Sequence, residues 1–401
     1  MMLRRYFAIS SVLLLVVTVA AAGPKKKAAS QQTLKLGDQR TTGYFDINKI
    51  VWPNPPEVAR IRFVELFTGE KVDHAKDGEK KKPKKQSWMD RLAGTESADQ
   101  IDITKLPLQL IRTCGLAVDS KGLIYAADQG VGAIFIWDPV TGAVKTIRNG
   151  REAHFGLING LAVDDNDRLF VGDIKLNRVL VLNSKHQPEA TIGAGELLTP
   201  GGLAIDTENR QLYVVDTGND VVRVYDADTF KPLRVLGTPG KKHTLTDPGN
   251  FSLPTNVAVD SEGDVYITDT FNNRVQIFDG DGNFVSMFGK HGDGVGQFER
   301  PKGIAVDCDR HIWVVDAAQD RVKVYDREGR LLIYFGEHGE YPGRFMGAYG
   351  ITIDNKNRVL VSETFPGRVQ MFRYVTDAEA DQARSEQAQA RTRPAQPPGK
   401  K

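Results

Sequence analysis

The chain reads as an all-β protein, a six-bladed β-propeller, and three features of its 401 residues say so. The first is a repeat. An acidic residue closes a short apolar run at Asp119, Asp164, Asp206, Asp260, Asp307 and Asp354, at intervals of 45, 42, 54, 47 and 47 residues, which is the length of a four-stranded blade. The second is the content of each unit. Residues 301–335 hold four short runs rich in β-branched and aromatic residues, separated by polar turns, the pattern of an antiparallel meander. One meander cannot bury both its faces and needs neighbours of the same kind. Residues 252–289 repeat the pattern almost position for position. The third is a mismatch at the ends. Units one to five have four strands, the sixth has three, and residues 58–66 form an alternating strand with no partner nearby in sequence. Placing that strand on the edge of blade six closes the ring and removes an open edge.

In chain order, residues 1–22 carry Arg4 and Arg5, an apolar run and Ala20-Ala21-Ala22-Gly23. These are the parts of a secretory signal peptide with a small-residue cleavage site; an uncleaved anchor helix is the alternative. Either places the rest of the chain in a periplasmic or extracellular space. Residues 23–56 read as a linker, 57–67 as the closing strand and 68–113 as a Lys-rich loop with a short helix. Lysines at 71, 76, 80, 81, 82, 84 and 85 make that loop too charged to bury a core. Ser87 and Asp90 form a capping box, Trp88, Met89 and Leu92 share one helix face, and Gly94 ends the helix. The loop leads from the outermost strand of blade six to the innermost strand of blade one, so the Trp88 helix is expected to cross the loop-rich face and partly cover the channel mouth. The repeats span 114–376. The tail, 377–401, lacks core-forming residues and is expected to be disordered.

Charge restricts the partners. The whole chain is +2, but residues 114–376 hold 28 Lys and Arg against 35 Asp and Glu. The basic balance lies in the linkers and tail. An acidic propeller lacks the electrostatic footprint of a nucleic-acid binder, while the Lys-rich loop suits an anionic envelope surface. Cys114 and Cys308 make neither a disulfide framework nor a zinc site and read as free thiols.

Second strands end in an acid, and in four blades an Arg opens the third strand five residues later: Asp173 and Arg178, Asp269 and Arg274, Asp316 and Arg321, Glu363 and Arg368. Facing each other across a hairpin mouth, these are expected to be structural ion pairs. The Asp ending each first strand precedes a tight turn and is expected to accept its backbone N–H groups. Residues 279–283 are oxygen-rich but read as a hairpin turn, short of a calcium loop. In a propeller the fourth-to-first and second-to-third connections share one face. Here they offer Asn159, Lys175, Asn256 and Phe271, together with Asn272, Lys302, Tyr349 and Phe365. Exposed aromatics beside amides suit a peptide or carbohydrate. Five of the six first strands centre on Ala and the sixth on Thr352, a small, uncharged inner ring.

The recurring P-x-G-I/L/V-A-V-D, I/V-Y/W-V-x-D, N-x-R-V-Q/K-V/I-F/Y-D and trailing F-G…G-x-G-x-F segments resemble the NHL repeat, best formed at 254–279 and 301–326. With the signal segment, the arrangement resembles the secreted NHL-repeat proteins of bacteria. The resemblance implies the propeller and leaves function open, since some members bind proteins or RNA and the related amidating lyases and lactonases are metal enzymes. The amidating-lyase type places histidines where first strands start. The matching positions here are Gly115, Gly160, Gly202, Asn256, Gly303 and Gly350, which leaves a three-histidine zinc centre without support. No G-x-S-x-G, P-loop or H-E-x-x-H motif appears. The expectation is therefore a non-catalytic binding scaffold with no metal or cofactor, whose partner is a protein or an envelope component. The alternative is a metal-dependent hydrolase or lyase, of lactonase or amidating-lyase type, with a divalent ion at the channel mouth.

Overall fold

A computed structural model describes residues 46–70, 107–238 and 247–392. Six antiparallel sheets surround a central channel. Their inner strands are Thr113–Val118, Ile158–Val163, Pro200–Asp206, Pro254–Val259, Pro301–Val306 and Ala348–Ile353. Second strands such as Ile312–Asp316 are buried throughout, because blades cover both faces. Fourth strands alternate instead, so Leu331–Phe335 turns Phe335 inward and leaves Leu332 and Tyr334 exposed.

The ring closes as the spare strand requires. β1 (Val51–Trp52) and β2 (Ile61–Phe67) are followed in the sheet of blade six by Arg368–Tyr374. β2 runs antiparallel to that last strand, with Ile61 opposite Tyr374 and Phe67 opposite Val369. Its side chains Ile61, Phe63 and Phe67 are buried. The Phe67 ring stacks on Trp137 of blade one at 4.7 Å, so the closing strand also joins the first blade to the last.

Two expectations need correction. The end of the supposed linker is folded: β1 adds a fifth strand, and Ile47, Ile50 and Trp52 pack on the core, Trp52 lying 5.2 Å from Phe335. The apolar run there is too short to show a period, and Pro53, Pro55 and Pro56 disguise it as a loop. The tail contains a helix, α1 (Asp377–Thr392). Its Ala, Glu, Gln and Arg content favours helix without any apolar stripe. A reciprocal cap starts it: Thr376 N–H donates to Glu379 Oε2 at 2.9 Å and Glu379 N–H donates to Thr376 Oγ1 at 3.3 Å. Ala380 is buried against the blade. The signal segment and the Trp88 helix lie outside the described residues, and no described helix is long and apolar enough to cross a membrane.

Candidate active site at the channel mouth

The acid ending each second strand builds the loop-rich face. Asp128, Asp173, Asp216, Asp269, Asp316 and Glu363 are fully buried. Each accepts backbone N–H groups from the segment leading into its own first strand. Asp128 takes Ile111 and Arg112 at 2.7 and 2.9 Å, and Asp316 takes Glu299 and Arg300 at 3.0 and 2.9 Å. A buried carboxylate thereby sets the height at which each inner strand begins.

The basic partners of these acids are more varied than the sequence pattern suggests. Arg274 meets Asp269 at 2.8 Å and Arg368 meets Glu363 at 2.6 Å. Burial raises the pKa of both acids against the lowering pull of these partners. The other two expected pairs do not form. Arg178 donates to the His154 carbonyl at 2.9 Å, and Arg321 lies over the Tyr334 ring at 5.3 Å. Asp316 instead binds the buried Lys323 at 3.0 Å, and Asp216 binds Arg223 at 3.0 Å. Residues five and seven after the acid project on the same side of the third strand, so either can reach it. The acids ending first strands cap their turns as expected; Asp119, for instance, accepts from Lys121 and Leu123 at 3.0 and 2.8 Å.

One position of the inner strands defines the mouth. Blade by blade it is Cys114, Asn159, Gly201, Thr255, Lys302 and Tyr349. The Cys114 thiol turns away into the wall, toward the carbonyls of Ala127 and Ile158, and burial pushes its pKa up to about 12, so it is not a nucleophile. The Tyr349 hydroxyl passes blade one to donate to Asn159 Oδ1 at 3.1 Å. Burial, with the neighbouring Cys114, raises Tyr349 to about 12, so the phenol stays protonated. Lys302 Nζ sits 4.4 Å from the centre of the Tyr349 ring. Burial first, then the positive charges of Arg300 and Arg112, lowers the Lys302 pKa. Among the described residues no carboxylate lies within ion-pair distance of Lys302, Arg112 or Arg300. Below the mouth lies a channel of about 270 Å³, lined by the six inner strands; Leu, Val, Ile and Ala side chains stand there beside Asn159, Thr255, Asn256 and Thr352, and its open surface is mostly polar.

The sequence-derived candidates thus separate. Asn159, Lys302 and Tyr349 come together, and Asn256 lines the same channel, its Oδ1 held by Val257 N–H at 3.0 Å. Asn272 is tied to Asp269 at 2.8 Å. Phe271 and Phe365 stand exposed, 58% and 59%, on the outer part of the face, and Lys175 is exposed beside blade two. Arg112 and Arg300 were missed. Each precedes a first strand where other blades carry Leu157, Thr199, Leu253 or Gly347, a difference visible only once the strand starts are fixed.

A divalent ion does not fit this mouth. No His, Asp or Glu is among the described channel-lining residues, and the Lys302 ammonium sits on the Tyr349 ring. The neighbouring glycine ring is closed to ligands as well: a Cβ on Gly115 would lie 2.1 Å from the Asn159 carbonyl oxygen, and one on Gly160 2.2 Å from that of Gly201. Ligand-type groups do converge on the opposite face, where atoms of Asp309, His311 and Asp377 lie within 4.8 Å of one another. There Arg60 engages Asp377, and the Tyr374 hydroxyl donates to Asp309 at 2.7 Å, so the cluster works as a clasp for α1.

Residues 88–289 match the family model described as the SMP-30/Gluconolactonase/LRE-like region, and residues 251–338 match one described as a 6-bladed beta-propeller. A probable peptidyl-alpha-hydroxyglycine alpha-amidating lyase of Caenorhabditis elegans is 31% identical over 121 residues, 29% of this chain and 33% of that protein. Peptidyl-glycine alpha-amidating monooxygenase of Mus musculus is 28% identical over 222 residues, 53% of this chain and 20% of that protein. The chain therefore spans a third or less of the length of these relatives. A gluconolactonase from Xanthomonas campestris superposes with a TM-score of 0.51 at 19% identity, covering 67% of this chain and 89% of that one, which shows the shared fold. These names correct the expectation of a catalytically silent scaffold: the family is named for a lactonase, and the sequence relatives are named as a lyase and a monooxygenase.

Proposed function

Because the chain belongs to the SMP-30/Gluconolactonase/LRE-like family, we propose that it is a propeller hydrolase or lyase whose reaction takes place at the channel mouth, over Lys302, Tyr349 and Asn159. The observation that carries this reading is the half-buried Lys302 ammonium, held on the Tyr349 ring without a carboxylate partner among the described residues. A structural lysine this enclosed is normally paired, as Lys323 is with Asp316. An unpaired one at a channel mouth is available to substrate.

The chemistry follows from the three side chains. Lactone hydrolysis puts negative charge on the carbonyl oxygen. A lyase that expels a leaving group from a hydroxylated carbon puts it on the hydroxyl oxygen. Lys302, half-buried on the Tyr349 ring, supplies fixed positive charge for either. Its lowered pKa also gives it a larger neutral fraction near neutrality than a free lysine has, which suits proton transfer. Tyr349, kept protonated and aimed by Asn159, is a positioned hydroxyl and no base. Asn159 sets the phenol's orientation. No step passes through a metal, because the donor set at the mouth does not fit one. Localisation outside the cytoplasm, from the signal segment, belongs to the same proposal.

The test is a turnover screen of the full chain against aliphatic and sugar lactones and against α-hydroxyglycine amides, with and without chelator. Turnover that resists chelator and falls in Lys302→Met supports the reading. Turnover that vanishes with chelator and is indifferent to Lys302→Met rejects it.

A further inference from the structure

Each inner strand ends its sheet, so one of its backbone edges has no strand partner and faces the channel. Among the described residues no charged side chain lines that channel, but two side-chain amides do. Asn159 of blade two is only 6% exposed, and its Oδ1 accepts from the Tyr349 hydroxyl at 3.1 Å. Asn256 of blade four lies over Gly202 of blade three, where a Cβ would come within 2.0 Å of its Oδ1; that oxygen accepts from Val257 N–H at 3.0 Å. Both amides therefore have their oxygen engaged, while neither Nδ2 has a hydrogen-bond partner among the described residues. The buried amides inside the blades differ. Gln276 Nε2 donates to the Asn250 carbonyl at 2.9 Å and to Asp269 at 3.1 Å, and Gln370 Nε2 donates to the Arg344 carbonyl at 2.6 Å and to Glu363 at 2.7 Å. Enclosed donors are normally satisfied in this way. The Asn159 Nδ2, enclosed and open only to the channel, is the exception.

Resting on the channel-mouth reading above, we propose that Asn159 is a specificity-determining residue, whose Nδ2 donates to a carbonyl oxygen of a small, uncharged substrate entering the channel. Three arguments give that role. The Tyr349 phenol stays protonated and needs an acceptor, so Oδ1 is committed and the amide cannot turn over without breaking that bond. What remains for a ligand is a donor alone, which selects an acceptor, and a site built around such a bond rejects analogues that lack its partner. A charge brought between the inner strands would leave water without meeting an opposite charge. Asn256 Nδ2, likewise a donor, favours a second acceptor oxygen on the same molecule. At about 270 Å³ the channel is smaller than most ligand pockets, roughly 300–1,000 Å³, so the molecule is small.

The experiment is an NMR titration of the isotope-labelled full chain with three matched probes: cyclopentanecarboxamide, cyclopentanecarboxylate and cyclopentylmethylammonium. It follows the side-chain amide resonances of Asn159, assigned by their loss in Asn159→Asp. It reads binding alone, so it stands apart from whether any substrate turns over. The carboxamide is expected to shift these resonances and to bind at least about tenfold tighter than either ion. Asn159→Asp keeps an acceptor for the Tyr349 hydroxyl and removes the donor; Asn159→Ala removes both without adding charge. Each is expected to weaken carboxamide binding at least about tenfold. Asn159 resonances that stay in place throughout the carboxamide titration overturn the proposal, and they do so in the unaltered protein, whether or not the variants fold. Carboxamide affinity unchanged in both variants overturns it as well. A carboxylate or ammonium that binds as tightly as the carboxamide overturns the assigned class.

Discussion

Removing the closing strand tests the architecture on which the mouth depends. β2 buries Ile61, Phe63 and Phe67 between the last blade and its neighbours. At about 1.5–3 kcal/mol for each fully buried large apolar side chain, the strand contributes about 5–9 kcal/mol, comparable to the whole stability of an ordinary domain, about 5–15 kcal/mol. A chain beginning at Pro107 also leaves the Arg368–Tyr374 edge unpaired. It is expected to lose its cooperative melting transition or to aggregate. Phe67→Ala is the finer perturbation. It removes the ring stacked 4.7 Å from Trp137 and is expected to cost about 3–5 kcal/mol, which lowers Tm by about 10 °C for a domain of this size. Circular dichroism melting of wild type, Phe67→Ala and the shortened chain reads both effects. A shortened chain that melts like the full one would refute closure through β2, and a Phe67→Ala shift under 2 °C would refute the argument that this strand joins blades one and six.

Lys323→Met strands the buried Asp316 carboxylate and is expected to cost about 3 kcal/mol, read by urea unfolding; Arg321→Met, whose guanidinium lies over the Tyr334 ring, is expected to cost less than half of that. The clasp of α1 is expected to weaken with rising pH. Burial lowers the His311 pKa, but Asp307, Asp377 and Asp309 outweigh it and raise it above the usual value, with Tyr374 and Arg60 the other titratable groups around it. The stabilisation is complete below the unfolded histidine value, near 6.5, and is lost as pH climbs through the higher folded value. Hydrogen-exchange protection of residues 377–392, corrected for intrinsic rates, should therefore fall with pH and become pH-independent in His311→Gln. Chelator is expected to leave Tm unchanged, since no described channel residue offers a metal donor set.

The repeat was legible because blades must stack, so the spacing of Asp119 to Asp354 and the orphan strand at 58–66 together determine the ring. The strand begins three residues later than its composition suggests, at Ile61, because Val58 to Arg60 still belong to the turn after β1. The ion pairs were only partly legible: positions five and seven after each acid face the same way, and choosing between Arg321 and Lys323 needs the depth of each side chain. α1 escaped because its stability comes from helix propensity, a cap and one buried Ala380. At the mouth, Asn159, Lys302 and Tyr349 were among the loop-face candidates, but nothing in the chain order brings residues 159 and 349 into contact; ring closure does. The absence of histidine where first strands start counts against a three-histidine zinc centre, and the small inner ring favours a scaffold. The glycines are there because neighbouring inner strands approach too closely for a side chain, which says nothing about the lysine one residue away.

The measurement that tests the central claim most directly is kcat/KM of wild type, Lys302→Met and Tyr349→Phe on whichever lactone or hydroxyglycine amide the full chain turns over, across pH 6 to about 10. Lys302→Met is expected to lower kcat/KM by about two to three orders of magnitude, the size of a lost charge at a developing oxyanion, and to abolish an ionisation that lies below the usual lysine range in wild type. Tyr349→Phe is expected to lower it less and to keep that ionisation. Full activity in Lys302→Met, with an unchanged pH profile, would place the reaction somewhere other than this channel mouth.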